Sequence, residues 1–146
     1  LYGMKRIFPD NKDANVKIER GDFTETDRNC QTLKKTNTSD FPENWKKKLN
    51  AKSENVPFKM ELTCKSLVFV YKVQASGSAE KFGNAEIYVD GHKVATYDGG
   101  KAGGWNNCEP NVIIDERKAE KHTVMVKMAP GSEKLGFTIV AMGYTL

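Results

Sequence analysis

The stretch Ala85-Glu86-Ile87-Tyr88-Val89-Asp90-Gly91-His92-Lys93-Val94-Ala95-Thr96-Tyr97 decides how the rest of the chain is read. Ala85, Ile87 and Val89 alternate with Glu86, Tyr88 and Asp90. A period of two places the first set on one face of a strand and the second set on the other. Asp90-Gly91 supplies residues that tolerate positive φ, as a tight hairpin requires. Val94 to Tyr97 is the returning strand. Beyond it, Gly99, Gly100, Gly103 and Gly104 lead to Trp105-Asn106-Asn107. A glycine run carries an entropic cost, so it marks a turn or a place where something approaches the backbone closely.

The same period runs outward from this hairpin. Val16 and Ile18 alternate within Asn15 to Arg20, and Gly21-Asp22 closes that strand, with Phe23 as a core plug. Phe58, Met60, Leu62 and Cys64 alternate with Lys59, Glu61 and Thr63. Ser66 to Val73 is nearly all apolar and β-branched or aromatic, which suits a central strand covered on both faces. Val112 to Ile114 reads as a short strand, Asp115 to Lys121 as a charged loop or helical turn, and His122 to Met128 as a further strand. Leu135 to Thr145 is the last strand. Between Thr24 and Asn55 the chain is polar, anchored by Leu33, Phe41, Trp45 and Leu49. Asp40 to Lys48 fits a helical turn or an extended strand carrying Trp45. Residues 1–14 read as a linker or lead-in, and 15–146 as a single domain. Many short strands separated by turn signals, with no amphipathic helix, predict an all-β antiparallel sandwich of jelly-roll type.

The chain has 146 residues, enough to bury roughly 68% of its unfolded surface without staples. Of 23 basic residues only Arg6, Arg20, Arg28 and Arg117 are arginine, and there are 19 acidic ones. The lysines, including Lys46-Lys47-Lys48, read as a solvated surface. Nucleic acid is not an expected partner, since base readout leans on arginine forks. No apolar run approaches the roughly 18 residues of a membrane span, so no membrane partner is expected either. The chain begins at Leu1, which suggests a fragment or a processed product. Cys30, Cys64 and Cys108 lack C-x-x-C spacing, so zinc is not expected. One disulfide plus a free thiol, or three buried thiols, both fit.

No G-x-S-x-G, H-E-x-x-H or P-loop pattern occurs, and no catalytic residue is expected. His92 reads as a solvated turn residue and His122 as a surface or capping residue. No cofactor is expected. Asp90, Asp98 and Asp115 lie at strand ends and leave a structural calcium as an alternative.

A resemblance joins these pieces. Gly21–Cys30 (GDFTETDRNC), Phe41–Trp45 (FPENW), Cys64–Tyr71 (CKSLVFVY), Gly83–Val94 (GNAEIYVDGHKV), Gly103–Asn107 (GGWNN), Asp115-Glu116 with Glu120 to Val124, and Phe137–Thr145 (FTIVAMGYT) carry it. Together they resemble the galactose-binding-like β-sandwich domain attached to SGNH/GDSL-type carbohydrate esterases of gut and rumen Firmicutes. The resemblance spans about residues 15–146. The esterase blocks, G-D-S and a late D-x-x-H, are absent. It therefore implies a secreted, non-catalytic carbohydrate-binding module, joined in one polypeptide to an esterase acting on plant cell-wall polysaccharide. The alternative is a structural domain that packs on a catalytic domain or a protein partner.

If a glycan binds, the expected site is Trp105 with Asn106 and Asn107, helped by Tyr97, Asp98 and Trp45. Sugars present flat C–H faces and a rim of hydroxyls. An aromatic ring with amides and a carboxylate beside it answers both.

Overall fold

The protein is described by a computed structural model covering residues 3–30, 43–49, 55–75 and 77–146. The expected anchors Leu33 and Phe41 lie outside these residues, as does Asp40. No helix occurs among the described residues. Eight strands do: β1 Lys5–Ile7, β2 Val16–Glu19, β3 Trp45–Lys46, β4 Phe58–Val73, β5 Asn84–Val89, β6 His92–Asp98, β7 Asn107–Met128 and β8 Thr138–Thr145.

All strand pairings are antiparallel, and two long strands organise them. β4 pairs with β7 from Phe58↔Val126 to Val73↔Asn107, with register shifts between Cys64 and Ser66 and between Leu67 and Val68. Such irregularities bend and twist a ladder. The first half of β4 pairs with β2, while its second half pairs with β8. The second half of β7 pairs with β5, which continues to β6. β1 and β3 both lie along the other edge of β8.

The bent ladder folds back on itself into a sandwich. β6 stands three strands away from β4 in the sheet order. In a flat sheet that is about 14 Å. Yet the Tyr97 ring of β6 stacks on Tyr71 of β4 at 4.7 Å and 8°, and on Phe69 at 5.9 Å. Only a sheet curled into two facing layers brings them together. The space between is filled by Phe23, Phe58, Leu62, Leu67, Phe69, Ile87, Val126, Phe137 and Tyr144, all buried. The all-β antiparallel sandwich expected from the period-two pattern is what forms. The β5–β6 turn is the expected one, with Asp90 at φ +52° and Gly91 at +81°.

Four expectations are corrected. The lead-in is not merely a linker, because Lys5–Ile7 forms β1 and buries Ile7. The charged run Asp115 to Lys121 is neither loop nor helical turn. It is the middle of the continuous β7, whose side chains there face solvent. The lysine cluster is not wholly solvated. Lys47 is fully buried, donating to the carbonyls of Leu135 and Lys48, and burial pushes its ammonium pKa down. Lys46 pairs with Glu80 at 2.6 Å.

His122 is the fourth. It is buried rather than a surface cap. Its Nδ1 lies 2.6 Å from Asp90 Oδ2, and its Nε2 lies 3.3 Å from Glu116. Burial alone would lower its pKa, but these carboxylates hold it above the usual imidazole value. The neighbouring Cys64 thiol is pushed up to about 11, by burial first and by the same carboxylates second. A group raised in the folded state contributes stability that is complete below its unfolded pKa of about 6.5. That contribution is lost as pH rises through the folded value. The melting temperature should therefore fall between pH 6 and pH 8 in the wild type, and His122→Gln should flatten that slope. An equal slope in both proteins would refute the assignment.

Candidate functional site

The loop from Gly99 to Asn106 is clamped to its surroundings. Gln74 N–H donates to Gly99 O, and Gly99 N–H donates to Gly83 O. A Cβ on Gly100 would lie 2.4 Å from Phe82 O, and one on Gly104 would lie 2.2 Å from Val73 Cγ1. Glycine is required at both because the backbone passes directly over its neighbours. Trp105 and Asn106 follow at φ +56° and +60°, a left-handed pair of residues. For a bulky residue this conformation is an outlier and carries strain. Asn106 Oδ1 accepts from Ala75 N–H at 2.8 Å, and Asn107 N–H donates to Gly104 O. These bonds hold the turn, and the Trp105 side of it faces water.

Trp105 is 72% exposed. Of the expected site residues, Asn107 and Asp98 are exposed as well. Asp98 Oδ1 accepts from Gly100 N–H, which leaves its second oxygen outside that bond. Asn106 has committed its oxygen to Ala75, so only its NH2 group is available to a ligand.

Two expected residues do not join the surface. Trp45 is 0% exposed and packs edge-on against Phe58 at 5.8 Å, so it offers no face to a ligand. Tyr97 is half-buried, and its ring is spent on Tyr71 and Phe69. It braces the wall beneath the site rather than forming a platform. Burial raises its pKa.

Sequence reasoning missed the polar cluster beside this wall. Glu109 accepts from the Tyr71 hydroxyl at 2.8 Å and from Lys101 Nζ at 2.9 Å. The Lys101 bond is the larger cause of the lowered Glu109 pKa. The Tyr71 hydroxyl is pushed up, by burial first and by Glu109 second. The signal was present: Asn107 and Glu109 are two apart on one strand and so share a face. Lys101 sits inside the glycine run.

The aspartates expected to frame a calcium do not converge. Asp90 binds His122 and Thr123 N–H at one end of the β5–β6 hairpin, and Asp98 stands at the other end. Asp115 lies exposed within β7. No cluster of His, Cys, Asp or Glu suited to a metal occurs among the described residues.

A second concavity lies on the outer face of the β2–β4–β7–β5 layer, lined by Lys17, Glu19, Lys59, Glu61, Tyr88 and Met125. Two of its polar side chains are already engaged. Lys121 reaches Glu61 at 3.0 Å, and the Lys127 ammonium covers the Tyr88 ring at 4.9 Å. The Trp105 loop is therefore the better candidate: its ring is exposed and its neighbours retain unspent donors and acceptors.

No family model and no curated protein matches the chain. Solved structures do. A two-domain esterase active on acetylated mannans, co-crystallized with mannopentaose, superposes with a TM-score of 0.62 at 17% identity. The superposition covers 95% of this chain and 36% of that one. A second crystal structure of such an esterase gives 0.61 at 17% identity, over 97% of this chain and 36% of that one. A CBM35 from Paenibacillus barcinonensis gives 0.42 at 13% identity, over 91% of this chain and 94% of that one. The chain thus spans about a third of the length of the esterases. At this identity the likeness shows the fold. The β-sandwich is one found within a two-domain carbohydrate esterase, in line with the resemblance read from the sequence.

Proposed function

We propose that this chain is a non-catalytic carbohydrate-binding module that holds a plant cell-wall polysaccharide at the Trp105 loop, as part of a secreted esterase polypeptide. The observation that supports it most is Trp105 itself. A 72% exposed indole is kept in a strained backbone conformation on a loop that is otherwise pinned down. Strain of this kind persists where function uses it, and an indole face suits the C–H face of a pyranose. Asn107, the Asn106 NH2 group and Asp98 supply donors and acceptors for hydroxyls around that ring. The esterases that share the fold act on acetylated mannans, so mannan is the first glycan to test.

One observation favours a second reading. The chain spans only about a third of the esterase structures. On this reading the exposed indole is the point where a neighbouring catalytic domain docks, with no glycan involved.

Affinity electrophoresis against acetylated and deacetylated mannans, xylans, glucans and pectin separates the two. Retardation by at least one neutral polysaccharide is expected, with no acetate released from acetylated substrate above a boiled control. Free migration through every gel would overturn the glycan reading and leave the docking one. Acetate release lost on mutating a serine or histidine of this chain would overturn the non-catalytic reading.

A further inference from the structure

Cys30 and Cys108 are far apart in sequence and adjacent in space. The segment around Asp27 to Cys30 covers the outer face of the β8–β4–β7 layer. There Cys30, Val70, Val140 and Ala141 form a small buried cluster, with Val68 and Cys108 packed against it. Asn44 fixes the segment in place. Its side chain bonds both the N–H and the C=O of Asp27, and its Nδ2 points at Cys30 Sγ from 4.0 Å. Cys108 is the second residue of β7 and lies opposite Lys72. The two thiols thus meet in one cluster, close enough for each to shift the other's pKa.

We propose that Cys30 and Cys108 form a disulfide by exchange with a small-molecule or protein disulfide, stapling the covering segment to the strand that leaves the Trp105 loop. The two thiols differ in a way that suits this exchange. Cys108 is half-buried and so reachable, whereas Cys30 is buried. The neighbouring Cys108 sulfur first and burial second hold the Cys30 thiol protonated, and the nearness of Cys30, more than the Lys72 ammonium, lowers the Cys108 pKa. The Cys108 thiolate attacks one sulfur of the oxidant and expels one thiolate. Cys30 then gives up its proton, and its sulfur attacks Cys108 in the mixed disulfide, expelling the second thiolate. The pair loses two electrons and two protons, and the oxidant is reduced to two thiols. Cys64 takes no part: it is fully buried in the interlayer core, away from this cluster.

Closing so long a loop constrains the unfolded chain strongly. The staple also anchors β7 beside Asn106, whose side chain holds Ala75. The full chain should be incubated with oxidised glutathione, alkylated without reduction and digested for mass spectrometry. The expected result is one linked peptide joining Cys30 to Cys108, with Cys64 alkylated only after unfolding. The oxidised protein should melt higher by on the order of 10 °C. Cys64→Ser should keep that rise, and Cys30→Ser and Cys108→Ser should each abolish it. Full alkylation of all three cysteines after oxidation, a stable glutathione adduct on Cys108, or a bridge involving Cys64 would overturn the proposal. The peptide map is read on the wild type, so the result stands whether or not a serine variant folds.

Discussion

Replacing Asp27 by alanine is expected to destabilise the domain by about 3–5 kcal/mol, the cost of leaving a buried charge without its partner. Asp27 and Lys72 lie 2.9 Å apart, with their side chains 3% and 5% exposed. Thr138 Oγ1 donates to Asp27 Oδ2 at 2.7 Å, and Asn29 N–H donates to Oδ1 at 2.8 Å. The Lys72 ammonium also stands 5.1 Å from the Phe82 ring centroid. Burial would raise the Asp27 pKa, yet the Thr138 hydroxyl, Lys72 and the Asn29 N–H hold it below the usual carboxylate value. Because it is depressed, its contribution is present above the unfolded value of about 3.9 and is lost as pH falls through the folded one.

The pair is more valuable intact than it is stabilising. Swapping both charges for apolar residues of similar size is often neutral or better. Asp27→Leu with Lys72→Met should therefore recover most of the loss seen in Asp27→Ala, and the acid sensitivity should fade with it. Urea unfolding of the single and double variants reads this directly. Asp27→Ala melting within about 1 kcal/mol of the wild type would mean that water, not Asp27, solvates Lys72. A double variant as unstable as the single one would mean that the site requires charge for its shape.

The sandwich was legible because alternation is local. Each residue's face depends on its immediate neighbours, so Val16, Phe58 to Cys64 and Ala85 to Val89 announced their strands. What stayed hidden was every feature set by partners far along the chain. Asp115 to Lys121 reads as a loop because it is charged on both faces. It is a strand because β4 runs alongside it, pairing with Asp115 on one side of the bulge and with Glu120 and Lys121 on the other. Lys47 and Lys72 read as surface because lysine usually is. Their burial is decided by carbonyls at Leu135 and by a carboxylate at Asp27. His122 reads as a cap because its partner, Asp90, lies 32 residues away in the β5–β6 turn. Within the candidate site, the glycine run identified the loop, and Trp105 identified itself. Trp45 read both as an anchor of its polar segment and as a helper at the glycan site, and it lies in the core. The two tryptophans thus have opposite fates. The difference lies in the partners of Trp45 on β8 and Phe58 on β4.

Trp105→Ala is the variant with the largest expected effect on function. A stacking ring at the centre of a small glycan site carries a large share of modest binding energy. Binding to the retarding polysaccharide should weaken at least ten-fold, which is about 1.4 kcal/mol or more. Stability should barely move, since an exposed substitution of this kind stays within about 0.5 kcal/mol. The backbone sharpens the test. Trp105 sits at φ +56°, where a side chain costs about 1–2 kcal/mol over glycine. Glycine in turn loses about 0.5–1 kcal/mol through its freer unfolded chain. Trp105→Gly should therefore fold as well as the wild type or slightly better, while binding no more tightly than Trp105→Ala. A residue that weakens the fold where it stands, and whose removal abolishes binding, is kept for what it touches. Were the indole instead part of the packed interior, Trp105→Ala would lose about 3–5 kcal/mol. A steep fall in melting temperature, with the remaining folded protein still retarded by the glycan, would end the platform reading.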